Sequence, residues 1–472
     1  MSASVNLWRE RTVIPLTKQP LRVAVEVCSV FTYDQSMNIV ITLYYIDFAR
    51  YFLYLRDAIK VLDETIEFTF VSFYPSAHHY LKRRNVESLF LPDLLKKAKP
   101  AAGDFEAMIS YQQKLMPHLD QSLLLDEVAR CVTVFDDLLS QSETSLLISS
   151  GDTRMQSEAA IGGARHKAIP VLYFEQGAFG TTIFDHKGVN ANVSFRGQSL
   201  PDSDDPVDLA QIERYRQGNK AGSYDDDYTF MDRLIEKLDL VWLYPLPGCS
   251  NRLPYYCQTG ESFLDLAKIR ISQKLKDDVP VALPTRYVLL PLQMPIDAQI
   301  LYHSPLYSSF SQVIEDVAQA LPDGYVLVVR EHPNYRGRYG REVYEVADQL
   351  DSVVIINDSN LQQTLLKAEA IAVINSSVGI EAISYHKKVL LLGDAYYENA
   401  SVLTKLEHRD KMKETLHHLL MTPVDREGID QHLSNLLHRH LLPGHFRDAT
   451  LTGGPLIANK ILEHINTRGE QP

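Results

Sequence analysis

Several features that mark common protein classes are scarce or absent in this sequence of 472 residues. It has only four cysteines, and no two of them form a CxxC pair. Cys249 and Cys257 stand too far apart for the usual metal knuckle, so we expect them, like Cys28 and Cys131, to be free thiols in a reducing cytoplasm. No GxGxxG motif is present, which gives a dinucleotide cofactor little support.

Long hydrophobic runs and an excess of basic residues are also missing. No stretch approaches the roughly 20 apolar residues that span a bilayer, and no secretory signal is visible. The longest candidate, residues 38–54, contains Asp47 and Arg50 and is predicted to be a buried amphipathic helix. The net charge of −13 gives no reason to expect nucleic acid as a partner. We expect a cytoplasmic protein, and contact with the inner face of the cytoplasmic membrane stays open.

The hydrophobic pattern predicts strands that alternate with helices, which is typical of a parallel α/β sheet. A first series has predicted strands at 21–27, 66–73, 145–149 and 169–174 and helices at 104–139 and 157–167. A second series has predicted strands at 287–292, 325–329, 353–356, 371–374 and 389–392 with helices between them.

A chain of this length is too long for one ordinary core. The stretch 198–227 is rich in aspartate; a metal site is one interpretation, and an exposed acidic insertion is the favoured one. We predict a Rossmann-like domain at 1–240 with a catalytic loop at 171–190, a linker region at 241–284, a second Rossmann-like domain at 285–402 and a helical region at 403–472.

The stretch 171–190 begins as an apolar strand and continues into a loop with three glycines and two acids, Glu175 and Asp185. Open α/β sheets place their chemistry at such strand ends. The two acids could face one pocket from opposite sides, and glycosyl chemistry needs paired carboxylates. The alternative is that both acids only form turns.

Two further clusters follow predicted strands in the second series. Residues 290–299 carry Gln293 and Asp297, which could line a cleft, although a proline-shaped loop is the simpler interpretation. In Arg330-Glu331-His332-Pro333, the arginine and histidine could both donate to an anionic phosphate, and the proline fixes the turn. A structural histidine is equally compatible with the pattern.

The last cluster runs from Asn375 through Ser376 and Ser377 to Gly379 and Glu381. A strand here leads directly into a helix, so the serines could cap the helix and also bind a phosphate at its positive end. A cap alone explains one serine, and the pair with the glycine favours an anion site.

Together these clusters resemble the bacterial family of capsule-polysaccharide and lipopolysaccharide β-Kdo transferases. The resemblance rests on Glu175-Gln176-Gly177, Asp185-His186-Lys187-Gly188-Val189-Asn190, Pro291-Leu292-Gln293 with Asp297 and Gln299, Glu331-His332-Pro333 and Asn375-Ser376-Ser377-Val378-Gly379-Ile380-Glu381-Ala382.

The resemblance implies a GT-B-like fold, in which two Rossmann-like domains face a cleft, with extra C-terminal helices. It also implies retaining transfer of Kdo from CMP-β-Kdo, with Asp185 as covalent nucleophile, Glu175 as acid/base and His332 at the phosphate. No cofactor and no metal are expected. The donor and acceptor would contact Gln176, Gly177, Asn190, Gln293, Asp297, Arg330, Glu331, Pro333, Asn375, Ser376, Ser377, Gly379 and Glu381.

The expected partners are a CMP-sugar donor and a glycan or lipid-linked glycan acceptor, with a membrane or assembly-complex contact left open. Two alternatives stay open at this point. The chain could be another CMP-sugar transferase, such as a sialyltransferase-like enzyme. It could also be a non-catalytic glycan-binding assembly protein, although the acids Glu175 and Asp185 argue against that.

Overall fold

The structure is a computed structural model and describes residues 37–115, 117, 120–141, 144–198, 212–213, 228–243, 282–357 and 360–469. The predicted strand at 21–27 lies outside these residues, as do almost all of the predicted insertion at 198–227 and of the predicted linker at 241–284. None of the described helices is long and apolar enough to cross a membrane.

The first sheet has seven strands. They are β1 (Asn38–Leu43), β2 (Glu67–Ser72), β3 (Leu89–Phe90), β4 (Thr144–Ser150), β5 (Val171–Gln176), β6 (Thr181–Asp185) and β13 (Leu442–Pro443). Their order is β13-β6-β5-β4-β1-β2-β3, and all pairs are parallel except those that β6 forms with β5 and with β13. Its helices are α1 (Ile46–Leu62), α2 (Pro75–Arg83), α3 (Leu91–Leu95), α4 (Ser110–Leu115), α5 (Gln121–Gln141) and α6 (Met155–His166), and α7 (Phe230–Leu243) packs on α2.

The prediction that residues 38–54 form one helix is wrong at its start. Residues 38–43 are the central strand β1, and α1 begins only at Ile46. Because a central parallel strand is covered on both faces, its side chains are apolar without alternation, and periodicity cannot distinguish it from a buried helix. The side chains of Ile39 and Ile41 enter one core cluster and that of Val40 enters the other.

The second sheet has six parallel strands. They are β7 (Tyr287–Pro291), β8 (Val326–Arg330), β9 (Val353–Ile355), β10 (Ala370–Val373), β11 (Lys388–Leu391) and β12 (Thr404–Lys405), in the order β12-β11-β10-β7-β8-β9. Its helices are α8 (Ala298–His303), α9 (Phe310–Ala320), α10 (Arg341–Gln349), α11 (Leu361–Lys367), α12 (Ser377–Ser384) and α13 (Met412–Met421). The two sheets and their helices form the mixed α/β, GT-B-like architecture that the sequence predicts.

The C-terminal segment returns to the first sheet. After α14 (Arg426–Arg439), which contacts α12, the chain adds β13 to the edge of β6 and then forms α15 (Gly454–Gly469). The helix α15 packs on α1, and its residues Ile457 and Ile461 are fully buried in the same core cluster as Ile39. The last described residues therefore complete the core of the first sheet.

Candidate active site

A cavity of about 750 Å³ lies between the two sheets. Its first-sheet wall comes from residues 150–154 after β4, from residues 174–180 at the end of β5 and from residues 445–448 after β13. Its second-sheet wall comes from the segments that follow β7, β8 and β10. The carboxyl ends of parallel strands thus meet at one space, as expected for open α/β sheets.

Most of the residues predicted for the site line this cavity, and a few do not. Those in the lining are Glu175, Gln176, Gly177, Asn190, Gln293, Asp297, His332, Asn375, Ser376, Ser377 and Glu381. Asp185, Arg330, Glu331, Pro333 and Gly379 are not among the lining residues.

Three polar residues of the second-sheet wall are helix N-caps with the same local geometry. Asp297 accepts a hydrogen bond from the Gln299 amide at 3.0 Å. Ser376 Oγ accepts from the Val378 amide at 3.2 Å at the start of α12. Each N-cap fixes its side chain to the amide two residues further on, which orients the remaining polar atoms of the wall.

His332 is the third N-cap, at the start of the short 3₁₀ helix Pro333–Tyr335. Its Nδ1 accepts from the Asn334 amide at 3.2 Å, so the proton of the neutral ring is assigned to Nε2. Burial lowers the pKa of His332, and the nearby charge of Asp297 opposes that shift. The ring is therefore neutral near pH 7 and offers Nε2–H as a donor to an anion in the cavity.

Asn375 and Gln293 form a buried link between the loops after β10 and β7. Gln293 Nε2 donates to Asn375 Oδ1 at 2.9 Å. Asn375 Nδ2 donates to the carbonyl oxygens of Gln299 and His303, both at 2.9 Å. Both amides line the cavity, but their hydrogen bonds hold α8 beside the start of α12.

Glu331 and Gly379, which do not line the cavity, have structural contacts. Glu331 is buried and accepts hydrogen bonds from Tyr344 Oη at 2.6 Å, Asn357 Nδ2 at 2.7 Å and the Gly337 amide at 2.9 Å. A Cβ at Gly379 would collide with the ring of Tyr397. Arg330 ends β8 and Pro333 begins the 3₁₀ helix, and both therefore lie beside the residues that reach the cavity.

Residues 171–190, predicted to be a strand and a loop, form an antiparallel hairpin and a second loop. Glu175 pairs with Ile183 in the β5–β6 ladder, and Tyr173 pairs with Asp185. Directly opposed residues project to the same face of a sheet. Glu175 and Asp185 are therefore diagonal neighbours on one face, with their Cα atoms roughly 7–8 Å apart. The prediction that they approach a pocket from opposite sides is wrong. Residues 181–185 form strand β6, which runs back antiparallel to β5, so the two acids lie on the same face of the hairpin.

Glu175 reaches the cavity. Its Oε1 accepts from the Gln176 amide at 2.8 Å. Burial raises the pKa of Glu175 to about 7; that amide opposes the shift, and the charges of Asp297 and Asp152 add to it. A carboxyl group that titrates near neutral pH suits general acid/base chemistry.

Asp185 is covered by the loop that follows it. The carboxylate is 5% exposed and accepts from the amides of Lys187 at 2.7 Å, Gly188 at 3.3 Å and Ser194 at 3.0 Å, and from Ser194 Oγ at 2.6 Å. These bonds fold residues 186–194 into a tight loop that carries Asn190 into the cavity lining. In this conformation Asp185 positions the loop.

Comparison with known proteins supports the sequence-based assignment. Residues 235–446 match a family described as capsule polysaccharide biosynthesis protein. This match confirms the resemblance to a capsule polysaccharide biosynthesis family over residues 235–446. Protein FixF of Sinorhizobium fredii is 28% identical over 274 residues, 57% of this chain and 64% of that protein. The capsule polysaccharide export protein KpsS of Escherichia coli is 29% identical over 125 residues, 25% of this chain and 32% of that protein.

The chain thus spans less than two thirds of the length of these curated relatives. Among solved structures, KpsC of Thermosulfurimonas dismutans, a β-Kdo 2,7 transferase, covers 84% of this chain and 99% of its own, at 13% identity and a TM-score of 0.39. The capsule polysaccharide family match contains the whole second-sheet wall and His445, whereas Glu175 and Asp185 lie before its first residue.

The cavity lining also includes residues that the sequence analysis did not select, among them Asp152 and Arg154. Asp152 follows β4, and its Oδ2 accepts from the Val189 amide at 3.1 Å and from Asn192 Nδ2 at 2.9 Å. Arg154 follows two residues later in the sequence, and its guanidinium carbon lies 4.8 Å from the Tyr44 ring centroid. The signal was available, because both residues follow a predicted strand just as the four selected clusters do.

The other missed part is residues 445–448, which line the cavity from the loop after β13. No local pattern marks this short strand, since Leu442 and Pro443 pair with β6 only through a contact distant in sequence.

Proposed function

We propose that the chain is a retaining glycosyltransferase that moves β-Kdo from CMP-β-Kdo to a saccharide acceptor in the assembly of capsule or lipopolysaccharide O-antigen. One observation carries the proposal. A single cavity contains Glu175, whose pKa is raised to about 7 by burial, and, on the other sheet, the anion-binding groups of His332 and Ser376.

The second-sheet wall suits the CMP phosphate. His332 Nε2–H can donate to a phosphate oxygen, and the start of α12 at Ser377 adds the positive end of a helix dipole. When CMP leaves, charge develops on its phosphate. Fixed donors stabilise that charge without reorganising, which is the main electrostatic contribution to such a step.

The first-sheet wall suits the sugar and the proton transfer. Kdo carries a carboxylate at its anomeric carbon, and Arg154 supplies a positive charge on this side of the cavity. In the transfer step, Glu175 as a carboxylate removes the proton from the attacking acceptor hydroxyl. Because its pKa is raised to about 7, Glu175 can accept that proton at neutral pH and release it afterwards.

Retention by double displacement requires a nucleophile that replaces CMP at the anomeric carbon and is then replaced by the acceptor oxygen, and the family resemblance assigns this role to Asp185. The attack needs the amides of Lys187, Gly188 and Ser194 to release its carboxylate, since a nucleophile must come within about 3–3.5 Å of the reacting carbon. Asp152 and Asp297 already line the cavity and are the rival nucleophiles.

Intact-protein mass after incubation with CMP-Kdo tests donor and nucleophile together. We expect an adduct of one Kdo residue in the wild type and in Asp152→Asn and Asp297→Asn, and none in Asp185→Asn. Glu414→Gln, on an exposed helix, is the matched control and should form the adduct.

Each other result rejects one part of the proposed function. An adduct that survives in Asp185→Asn and disappears in Asp152→Asn or Asp297→Asn moves the nucleophile to that residue. If the enzyme turned over CMP-sialic acid and not CMP-Kdo, the donor would be CMP-sialic acid and the assignment of CMP-Kdo would be rejected. Release of CMP from neither donor, in the presence of acceptor glycans, would reject the transferase proposal.

A further inference from the structure

The loop at residues 444–453, which we name the C-terminal loop, closes on itself next to the cavity. Gly444 and Gly453 have φ angles of +97° and +77°, which L side chains rarely adopt. A Cβ on either glycine would collide with a carbonyl group at the opposite end of the loop. The two ends of the loop are therefore in contact.

A buried arginine clamps this loop onto the first sheet. The side chain of Arg50 in α1 is 4% exposed, and it donates to the carbonyl oxygens of Asp448 at 2.8 Å and Ala449 at 2.6 Å. Asp448 in turn accepts from the His445 amide at 2.8 Å. The loop is thus a fixed wall of the cavity, held by hydrogen bonds at its centre and by contact at its ends.

The loop presents the ring of His445 to the cavity, and this ring is backed by Phe446, which is 5% exposed. Phe446 packs edge-on against Phe48, with ring centroids 4.8 Å apart, and the His445 ring stacks on Phe446 at 4.3 Å. His445 Nδ1 accepts from the Arg447 amide at 3.0 Å, so the ring proton is assigned to Nε2, which lies 3.5 Å from Gln176 Oε1. A flat aromatic ring next to a few directed polar groups is typical of sites for small polar ligands.

Arg447 adds a cation at the same place. Its Nε donates to Asp47 Oδ2 at 3.1 Å, and its guanidinium carbon lies 5.1 Å from the Phe446 centroid. Within the part of the chain that the structure describes, its two terminal nitrogens donate no hydrogen bond, and 48% of the side chain is exposed. These paired donors match the geometry of a carboxylate or phosphate.

We propose that the C-terminal loop is the acceptor subsite, and that it selects a glycan whose terminal sugar carries a carboxylate or a phosphate. Arg447 binds the anionic group, and the His445 ring contacts the sugar ring. The inference rests on the proposed function, because the donor phosphate is assigned to the opposite wall at His332 and Ser376. The acceptor hydroxyl then approaches from the side on which Glu175 lies.

Calorimetric binding of short saccharides without CMP-Kdo tests the subsite directly. Three ligands share one sugar backbone and end in a neutral, a carboxylated or a phosphorylated sugar. We expect the wild type to bind at least one anionic ligand at least tenfold more tightly than the neutral one, and Arg447→Ala to lose that preference. Which anionic ligand is preferred identifies the acceptor chemistry.

Arg447→Lys keeps the charge without the paired donors and should recover only part of the preference. Arg341→Ala, at a side chain that is 90% exposed, is the matched control and should bind like the wild type. Equal affinity of the wild type for neutral and anionic ligands, or an unchanged preference in Arg447→Ala, would overturn the proposal.

Steady-state kinetics provide the second readout. In Arg447→Ala we expect the KM for the anionic acceptor to rise about tenfold to a hundredfold, and the KM for CMP-Kdo to change less than threefold. A larger change in the KM for CMP-Kdo would assign the loop to the donor instead. Because the binding measurement uses no donor, failure of the CMP-Kdo assignment and failure of the acceptor subsite give different results.

Discussion

The two walls of the cavity are built in different ways. On the second sheet, Asp297, His332 and Ser376 are each fixed by the amide two residues further along the chain. On the first sheet, the fixing contacts are distant in sequence, such as those from Asp152 to Asn192 and from Arg50 to Asp448. The three polar side chains of one wall are thus fixed by local caps, whereas these loops of the other wall depend on contacts distant in sequence.

This difference divides the effects that substitutions should have. A change in a local cap alters one turn, so its effect stays close to the ligand that the turn contacts. A change in a long-range contact loosens a loop and everything that the loop supports. The four predictions that follow test this division, from the largest expected effect to the smallest.

The largest effect is expected for Glu175→Gln, which keeps the shape of the side chain and removes its proton chemistry. We expect kcat for transfer to fall about 10²–10⁴-fold. Wild-type activity should fall as the pH is lowered through about 7, because the raised pKa means that the carboxylate base is lost there. The variant should lack this limb in a pH–rate profile.

Glu414→Gln is the control for this profile and should keep both the rate and the limb, since Glu414 is exposed on α13. A Glu175→Gln variant with wild-type kcat would remove the acid/base assignment.

The next effect concerns folding. Asp185→Ala should lower the free energy of unfolding by about 3 kcal/mol, because amides and a hydroxyl lose a charged acceptor in a buried loop. Ser194→Ala removes only the hydroxyl bond and should cost about 1 kcal/mol. Chemical denaturation monitored by tyrosine fluorescence measures both. Equal stabilities of the two variants would contradict the positioning role of Asp185.

His332 allows its cap and its donor function to be separated. His332→Asn retains a side chain that can cap the 3₁₀ helix but removes the Nε2 donor, whereas His332→Ala removes both. We expect the Kd for CMP to rise about tenfold in each variant, with a loss of stability only in the alanine variant. Calorimetric titration with CMP measures the Kd, and thermal unfolding measures the change in stability. CMP affinity equal to the wild type in His332→Asn would reject the phosphate contact.

The smallest effect is expected at Ser376. Ser376→Ala loses the cap of α12 and should reduce stability by about 1 kcal/mol, whereas Ser376→Thr should restore most of it. A several-fold weaker affinity for CMP should accompany the alanine change, because α12 then begins less regularly. If the alanine and threonine variants unfold at the same temperature, Ser376 does not stabilise α12 as a local N-cap.

The same division explains what the sequence predicts. The strands β7, β8 and β10 and the residues after them follow from local signals, because an apolar run, a turn and a cap lie next to one another. Asp297, His332 and Ser376, which were selected from these local signals, all line the cavity.

The first sheet is less predictable for a physical reason. The β1 strand has no alternation, and Thr181–Asp185 becomes a strand only because it pairs with Val171–Gln176. That pairing decides that Glu175 reaches the cavity and that Asp185 is covered. The residues around His445 reach the cavity through a strand of two residues, which carries no periodic signal of its own.

The return of α15 to the first sheet has a consequence for biosynthesis. Ribosomes make the chain from its N-terminus, and domains generally fold as units in that order. Here the first sheet lacks its edge strand β13 and the apolar cover of Ile457 and Ile461 until the second sheet has been made. The second sheet can be complete before the first, so the cavity forms only after residues 442–461 have been made.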